Sequence, residues 1–491
     1  MVTQSSFAQN DFQESKPLFS RNFRMMFVVV AVSLAQGALL AADTIWNYIY
    51  KKDWILGPSE SSVLSGLANT PWIIKPLWAI ISDNLPIFGY KRKSYLILTS
   101  IIGWLSFYSF GFGPISITAG FVWIFMSNVF LSFQSVVGQA VVVEAAQKSK
   151  GEKQKAKSAN NGVSLFYGTK LIGKVIYSGA IMLFLTELRR HDFMFFSSFI
   201  PVLVLLASFL LPEQRRTNKI HHDLLLENQS TSGNALGNLK KAFEFMKQPI
   251  IFKSWLFIFL SNFVPSPAQP KFYYYTTVLE FSPNFLGGLK LIASGGHVIG
   301  VIIYNRFCSN MNLKKFYIFT ILMVAFVHLS MVLLYFRINL QWGIRDDVFV
   351  IFDTFVIDFF QELHSLPILV LACRLCPKNI EATIFAIMIT ANNLAGNLSS
   401  QLGAILLSYL GITSTQFDNL WMFTLINACI QLLPLVLLFT IDFEKAISQA
   451  SETGKTEETG YEAVAIQQGE GERESTNYSN DSKEVSNTLK L

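Results

Sequence analysis

Apolar runs of about twenty residues alternate along this chain with short, polar, cation-rich stretches, and the alternation recurs about twelve times. A helix rising about 1.5 Å per residue needs that length to cross roughly 30 Å of hydrocarbon, so each run predicts a membrane-spanning helix. The runs lie near residues 25–45, 61–81, 94–112, 117–143, 160–185, 193–211, 250–272, 284–304, 316–336, 348–372, 382–410 and 419–441. A polar stretch at 212–249 divides them six and six. It predicts a cytosolic linker between an N-terminal half (25–211) and a C-terminal half (250–441). Residues 1–24 predict a cytosolic N-terminal segment, and 442–491, acidic and rich in Ser, Thr and Glu, predict a disordered cytosolic tail. The halves echo one another: Ala159-Asn160-Asn161 opens the fifth run much as Ala391-Asn392-Asn393 sits early in the eleventh. An all-α membrane bundle in two parallel six-helix halves is the expectation, the arrangement used by transporters that work by alternating access.

Composition agrees with that pattern. Of 491 residues 51% are hydrophobic and 15% charged, against roughly a quarter charged in soluble domains. The net charge of +6 therefore records cationic loops on one side of a bilayer and implies no nucleic-acid partner. With the N-terminus inside, the inner segments carry 22 Lys and Arg against 6 in the outer ones, so both termini are expected in the cytosol. The four cysteines, Cys308, Cys373, Cys376 and Cys429, lie in or at the ends of apolar runs and suggest no disulfide framework. Cys373 and Cys376, without a second pair or a nearby His cluster, read as small residues at a helix end rather than a metal site. No phosphate-cradling loop, metal-spaced His pair or nucleophile elbow is present, so neither an enzyme, a cofactor nor a nucleotide-driven pump is expected.

Ionisable residues within the runs are costly in hydrocarbon, and each is a functional hypothesis. Lys75, Lys170 and Lys174 are expected to face a cavity, the last two on one helical face four residues apart. Lys271 and Lys290 are expected to snorkel to an interface. Asp43 stands in the first run, and Asp353, Asp358, Glu362 and His364 in the tenth. Asp358 and Glu362 share a face, as a proton site would require; a structural ion pair with lysines across the bundle is the alternative. Asp43 is a further candidate for proton coupling. Asp83, Arg92, Glu144, Arg374 and Glu381 flank the cationic turns and are expected to form a cytosolic gate network. His297 and His328 read as hydrogen-bonded helix contacts. Phe272-Tyr273-Tyr274-Tyr275 reads chiefly as an interfacial aromatic belt.

The stretch Pro71-Trp72-Ile73-Ile74-Lys75-Pro76-Leu77-Trp78, continued by Ser82-Asp83 and Gly89-Tyr90-Lys91-Arg92-Lys93, resembles the signature of the folate-biopterin transporter family, within the major facilitator superfamily. Phe281-Ser282-Pro283-Asn284, Leu366-Pro367-Ile368, Arg374-Leu375-Cys376-Pro377 and Glu381-Ala382-Thr383 are similar to that family too. The resemblance implies a major-facilitator-type bundle and proton-coupled uptake of folates or pteridines at the plasma membrane. For a folate cargo, Lys75, Lys170 and Lys174 are expected against its anionic end and Asp358 or Glu362 against the pterin or the coupling proton. The fourth run departs from the family: similar proteins often carry aspartates ahead of its terminal Glu, whereas here Ser132-Phe133-Gln134-Ser135 leads to Glu144 alone. Another organic anion, or S-adenosylmethionine, is the alternative cargo. A transporter-like receptor or scaffold acting through the acidic tail is the alternative from another class.

Overall fold

The computed structural model describes residues 23–113, 115–147, 152–185, 189–213, 244–308, 311–375 and 381–446. Among the described residues seven helices are long and apolar enough to cross a bilayer: Phe23–Asp53, Lys93–Phe112, Ile117–Val142, Arg190–Phe209, Pro283–Cys308, Leu313–Tyr335 and Leu420–Thr440. Five further rods complete twelve among the described residues: Pro58–Ala68 continued by Lys75–Asn84, Glu152–Phe184, Pro249–Asn262 continued by Ala268–Thr277, Asp346–Arg374 and Glu381–Tyr409. Counted from the N-terminus they are spans 1 to 12, and they follow the twelve apolar runs closely. The last five are broken or loaded with amide and ionisable side chains, which lowers their hydropathy. Most of the linker and tail expectations fall on residues 214–243 and 447–491, outside those described. Packing nevertheless continues past residue 441, since Phe443 and Ala446 are buried and Phe443 packs edge-on against Phe257.

Proline decides where two spans break. Pro71 and Pro76 interrupt span 2, and Pro265, Pro267 and Pro270 interrupt span 7, because proline donates no backbone hydrogen bond. A carbonyl freed in this way needs a partner inside the bundle. Span 11 supplies it at both breaks. The Asn393 amide donates to the Trp72 carbonyl at 2.9 Å. The Ser399 hydroxyl donates to the Val264 carbonyl, and the Ser399 carbonyl accepts from the Ser266 N–H at 3.0 Å. Further along, the Ser62 hydroxyl donates to the Ser400 carbonyl at 2.8 Å, the Asn397 amide to the Gly66 carbonyl at 2.5 Å and the Ser59 hydroxyl to the Ala404 carbonyl at 3.0 Å. Spans 2 and 11, one from each half, are thereby joined by a row of side-chain-to-backbone bonds.

The apolar cores place the halves. On the side where span 1 begins, Val28, Phe133, Phe166 and Val204 form a core of the first half alone, and Phe257, Tyr317, Leu371, Ile384 and Leu438 a core of the second. On the far side one cluster spans both, joining Ile45, Tyr48, Phe107 and Tyr177 to Tyr273, Leu286, Met331 and Phe423. All four of Phe272, Tyr273, Tyr274 and Tyr275 are buried there, which corrects their expected role as an interfacial belt. The break at Pro265–Pro267 turns their helix inward, where the Tyr273 hydroxyl reaches the Leu56 carbonyl at 2.5 Å and Phe272 packs edge-on against Tyr48. The cationic turn before span 3 is organised by Glu213, whose carboxylate accepts from the backbone N–H groups of Lys91 (2.6 Å), Arg92 (3.1 Å) and Lys93 (2.8 Å).

Spans 1 and 5 lie backbone to backbone. A side chain at Gly173 would strike the Leu34 carbonyl, and one at Gly37 the Lys170 carbonyl, so neither helix can retreat without losing the other contact. Replacing Gly173 by leucine is expected to destabilise the bundle by about 1–3 kcal/mol or more, read as a lower unfolding temperature of the detergent-purified protein. Gly295→Ala, with open space around it, should leave that temperature unchanged. A normal unfolding temperature for Gly173→Leu would refute the close packing.

Candidate functional site

The helix of span 1 is interrupted at Ala41 and Ala42, whose N–H groups turn back to the Ala38 and Leu39 carbonyls, and it resumes at Asp43. The break aims Asp43 across the bundle, where the Lys290 ammonium of span 8 donates to its Oδ2 at 2.5 Å. This ion pair joins the two halves. It sits in a cavity of about 300 Å³ between them, lined by Asp43, Thr44 and Asn47 of span 1, Lys174 of span 5, Lys271 and Tyr275 of span 7, and Thr354 and Asp358 of span 10. With every group ionised, three lysines face two aspartates. Among the described residues no carboxylate lies within 4.0 Å of the Lys174 or Lys271 ammonium.

Beside the cavity, His297 stands between the two carboxylates of span 10. Its Nδ1 lies 2.7 Å from the Ala293 carbonyl, and its Nε2 faces Asp358 Oδ1 at 3.7 Å and Glu362 Oε2 at 3.8 Å. The approach depends on small residues: a side chain at Gly300 would come within 3.0 Å of the Glu362 Cβ. With Nδ1–H donated to the carbonyl, Nε2 is the ring nitrogen that faces both carboxylates. A third carboxylate of span 10, Asp353, is buried and accepts from the Ser330 hydroxyl in the wall behind.

Of the substrate residues expected from the sequence, the structure brings Lys174 and Asp358 to the cavity and Glu362 to its edge through His297; Asp43, expected as a proton-coupling residue, lines the cavity too. Lys170 is one turn from Lys174, toward the side where span 1 begins, with its ammonium 6.0 Å from the Tyr167 ring. Lys75 lies apart, donating to the Ser135 hydroxyl at 3.1 Å and standing 4.5 Å over the Trp72 ring. Two corrections follow. Lys271 and Lys290 do not snorkel to an interface; both line the cavity, where Lys290 meets the Asp43 carboxylate. His297, read as a helix contact, is the group between the paired acids. The signal for it was present: Lys290 and His297 are two turns apart on one stripe of span 8, with Gly296 and Gly300 opening that face to span 10.

In the expected gate network, Arg92 is buried and its guanidinium donates to the Ser82 hydroxyl at 2.6 Å. The side chains of Asp83, Glu144, Arg374 and Glu381 lie outside those described, as do Cys373 and Cys376.

A model of the BT1 family matches residues 36–460. The chain is 31% identical over 416 residues to a folate-biopterin transporter of Synechocystis sp., covering 84% of this chain and 81% of that protein. It is 30% identical over 419 residues to folate transporter 1 of Plasmodium falciparum, covering 84% and 78%. Among solved structures, a D-xylose-proton symporter superposes with a TM-score of 0.61 at 13% identity, over 88% of this chain and 99% of that one. A peptide transporter gives 0.61 at 11%, over 88% and 96%. At such identities the likeness is one of fold, and the fold is the major-facilitator bundle of two six-helix halves. With a family match over most of its length and relatives similar across four-fifths of it, this chain, a multi-pass membrane protein, belongs to the BT1 family.

Proposed function

We propose that this protein carries folates or related pteridines across a membrane, with the cavity between its halves as the binding site and a proton as the coupling ion. The observation that carries the reading is the cavity's charge: three lysines against two aspartates, one aspartate already held by Lys290. Ammonium groups left without a carboxylate in a low-dielectric cavity favour an anionic cargo. A folate brings two carboxylates at one end and a flat heterocycle at the other, and the names of the relatives point to the same compounds. A sulfonium cargo such as S-adenosylmethionine would meet repulsion from Lys174 and Lys271.

Coupling is assigned to His297, Asp358 and Glu362, with Lys174 and Lys170 near enough to act on them electrostatically. A proton entering this unit cancels one negative charge close to the anion site, so cargo and proton favour each other's binding. The shared core on the far side supports a form open toward the side where span 1 begins. With both termini in the cytosol and the protein in the plasma membrane, that form would release cargo inward.

Uptake of labelled folic acid into cells expressing the protein, at acidic and at neutral external pH, tests the whole reading. Saturable uptake that rises with external acidity is expected; no folate flux at either pH would overturn the substrate. Lys174→Ala is expected to reduce that uptake by about a hundredfold, the effect of removing one charge-assisted contact from a buried site, with surface expression retained. Saturable uptake at the wild-type level in this variant would remove Lys174 from the site. Glu362→Gln should flatten the pH profile while leaving some folate flux, and an unaltered profile would return Glu362 to a structural role.

A further inference from the structure

Adjoining the main cavity is a second recess of about 90 Å³, inside the first half between spans 1, 2 and 4, which shares Asp43 and Asn47 with it. On a scale where one water takes about 10–15 Å³, it has room for several groups in a row, the extent of a fused pair of rings. Its apolar walls include Trp46, Leu39 and Leu131.

Of its polar side chains, Ser127 and Asn128 are hydrogen-bonded, and others stand out because they lack partners. Serines in these spans mostly turn back onto their own helix, as Ser106 does on the Ile102 carbonyl and Ser127 on the Ile124 carbonyl, each at 2.7 Å. Ser65 does not. Among the described residues the Ser65 hydroxyl, the Asn69 amide and the Tyr50 hydroxyl, all lining the recess, form no hydrogen bond. Asn47 accepts from the Gln269 amide at 2.9 Å and keeps its own N–H groups unused. The Tyr50 side chain is buried, and a buried polar group is rarely left without something to bind; Ser65 and Asn47 are half-buried and Asn69 is exposed at the mouth of the recess.

The charge pattern selects the ligand. No lysine lines the recess; its one carboxylate is Asp43, whose Oδ2 takes the Lys290 ammonium and whose Oδ1 lies 3.5 Å from the Thr44 hydroxyl, so each oxygen keeps a lone pair for a further donor. A carboxylate in that state accepts two parallel N–H bonds, amides and hydroxyls read ring nitrogens and a ring carbonyl, and aromatic walls take a flat face. We infer that the recess takes the uncharged aminopyrimidinone head of the cargo, a pterin, with Asp43 as its anchor, while the lysines of the main cavity take the anionic end. The inference rests on the transport reading above, and it moves the pterin contact from Asp358 and Glu362 to Asp43.

Two fragments separate the ends. Biopterin has the head without carboxylates, and p-aminobenzoylglutamate has the carboxylates without the head. Each is titrated against the full-length purified protein by thermal stabilisation and, in cells, as a competitor of folate uptake. Asn69→Leu, which fills the recess, is expected to weaken biopterin by about tenfold or more and to leave p-aminobenzoylglutamate unchanged. Ser65→Val, a smaller filler, should act in the same direction, and retained binding of the second fragment shows that a variant is folded. Wild-type protein that does not bind biopterin, biopterin binding unaltered in both variants, or equal loss of both fragments in both variants would each overturn the recess. The two readings fail separately. Wild-type protein that binds biopterin through Asn69 but moves no folate would sink the transport reading alone; folate uptake with biopterin binding intact in both variants would sink the recess alone.

Discussion

A backbone carbonyl or N–H left without a partner in hydrocarbon costs several kcal/mol, and that constraint governs where this bundle can bend. Spans 2 and 7 break at prolines, and the groups released by each break are taken up by Asn393 and Ser399 of span 11. The breaks in turn give the site its shape. Without the one in span 7, Lys271 and Tyr275 would continue along a straight helix instead of bordering the cavity, and without the interruption ahead of Asp43 its carboxylate would not reach Lys290 across the halves.

Charge follows from that geometry. A lone ammonium in a bilayer core is an expense, yet this protein gathers three around one space and neutralises one of them directly. The Asp43–Lys290 pair lies where the main cavity and the smaller recess meet, so one carboxylate borders both a cation-rich space and a lysine-free one. A molecule with an anionic end and a neutral flat end fits such a division, whereas a uniformly charged solute would leave one compartment mismatched.

The sequence was informative about everything that depends on periodicity or on length. Span positions agree with the apolar runs to within a few residues, except that span 1 continues to Asp53 and span 5 begins at Glu152, and the spacing of Asp358 and Glu362 put them on one face, as observed. Lys170 and Lys174 occupy successive turns of span 5 in the same way. Depth was misleading for Lys271 and Lys290, because distance from the end of an apolar run measures distance from water only when no cavity penetrates the bundle. The tyrosines after Lys271 misled for a similar reason: aromatic residues at the end of a run look like a membrane belt unless a proline break has turned their helix into the core. His297 needed a pairing between spans 8 and 10 that single-chain spacing does not reveal, although the glycines on its face marked where a close neighbour would lie.

The seal on the far side is built from two materials. The bonds from Ser59, Ser62 and Asn397 to carbonyls opposite exchange with water at a net of about 0.5–1.5 kcal/mol each, so parting them costs little free energy. The ring cluster around Tyr273 and Phe272 is different, since wetting apolar surface raises heat capacity. Exposure of the cavity to that side would therefore carry the calorimetric mark of partial unfolding, with a rate whose temperature dependence is curved. Warmth and cold would shift the balance between the two open forms unequally, and membrane temperature would become one of the variables that sets which way the protein faces.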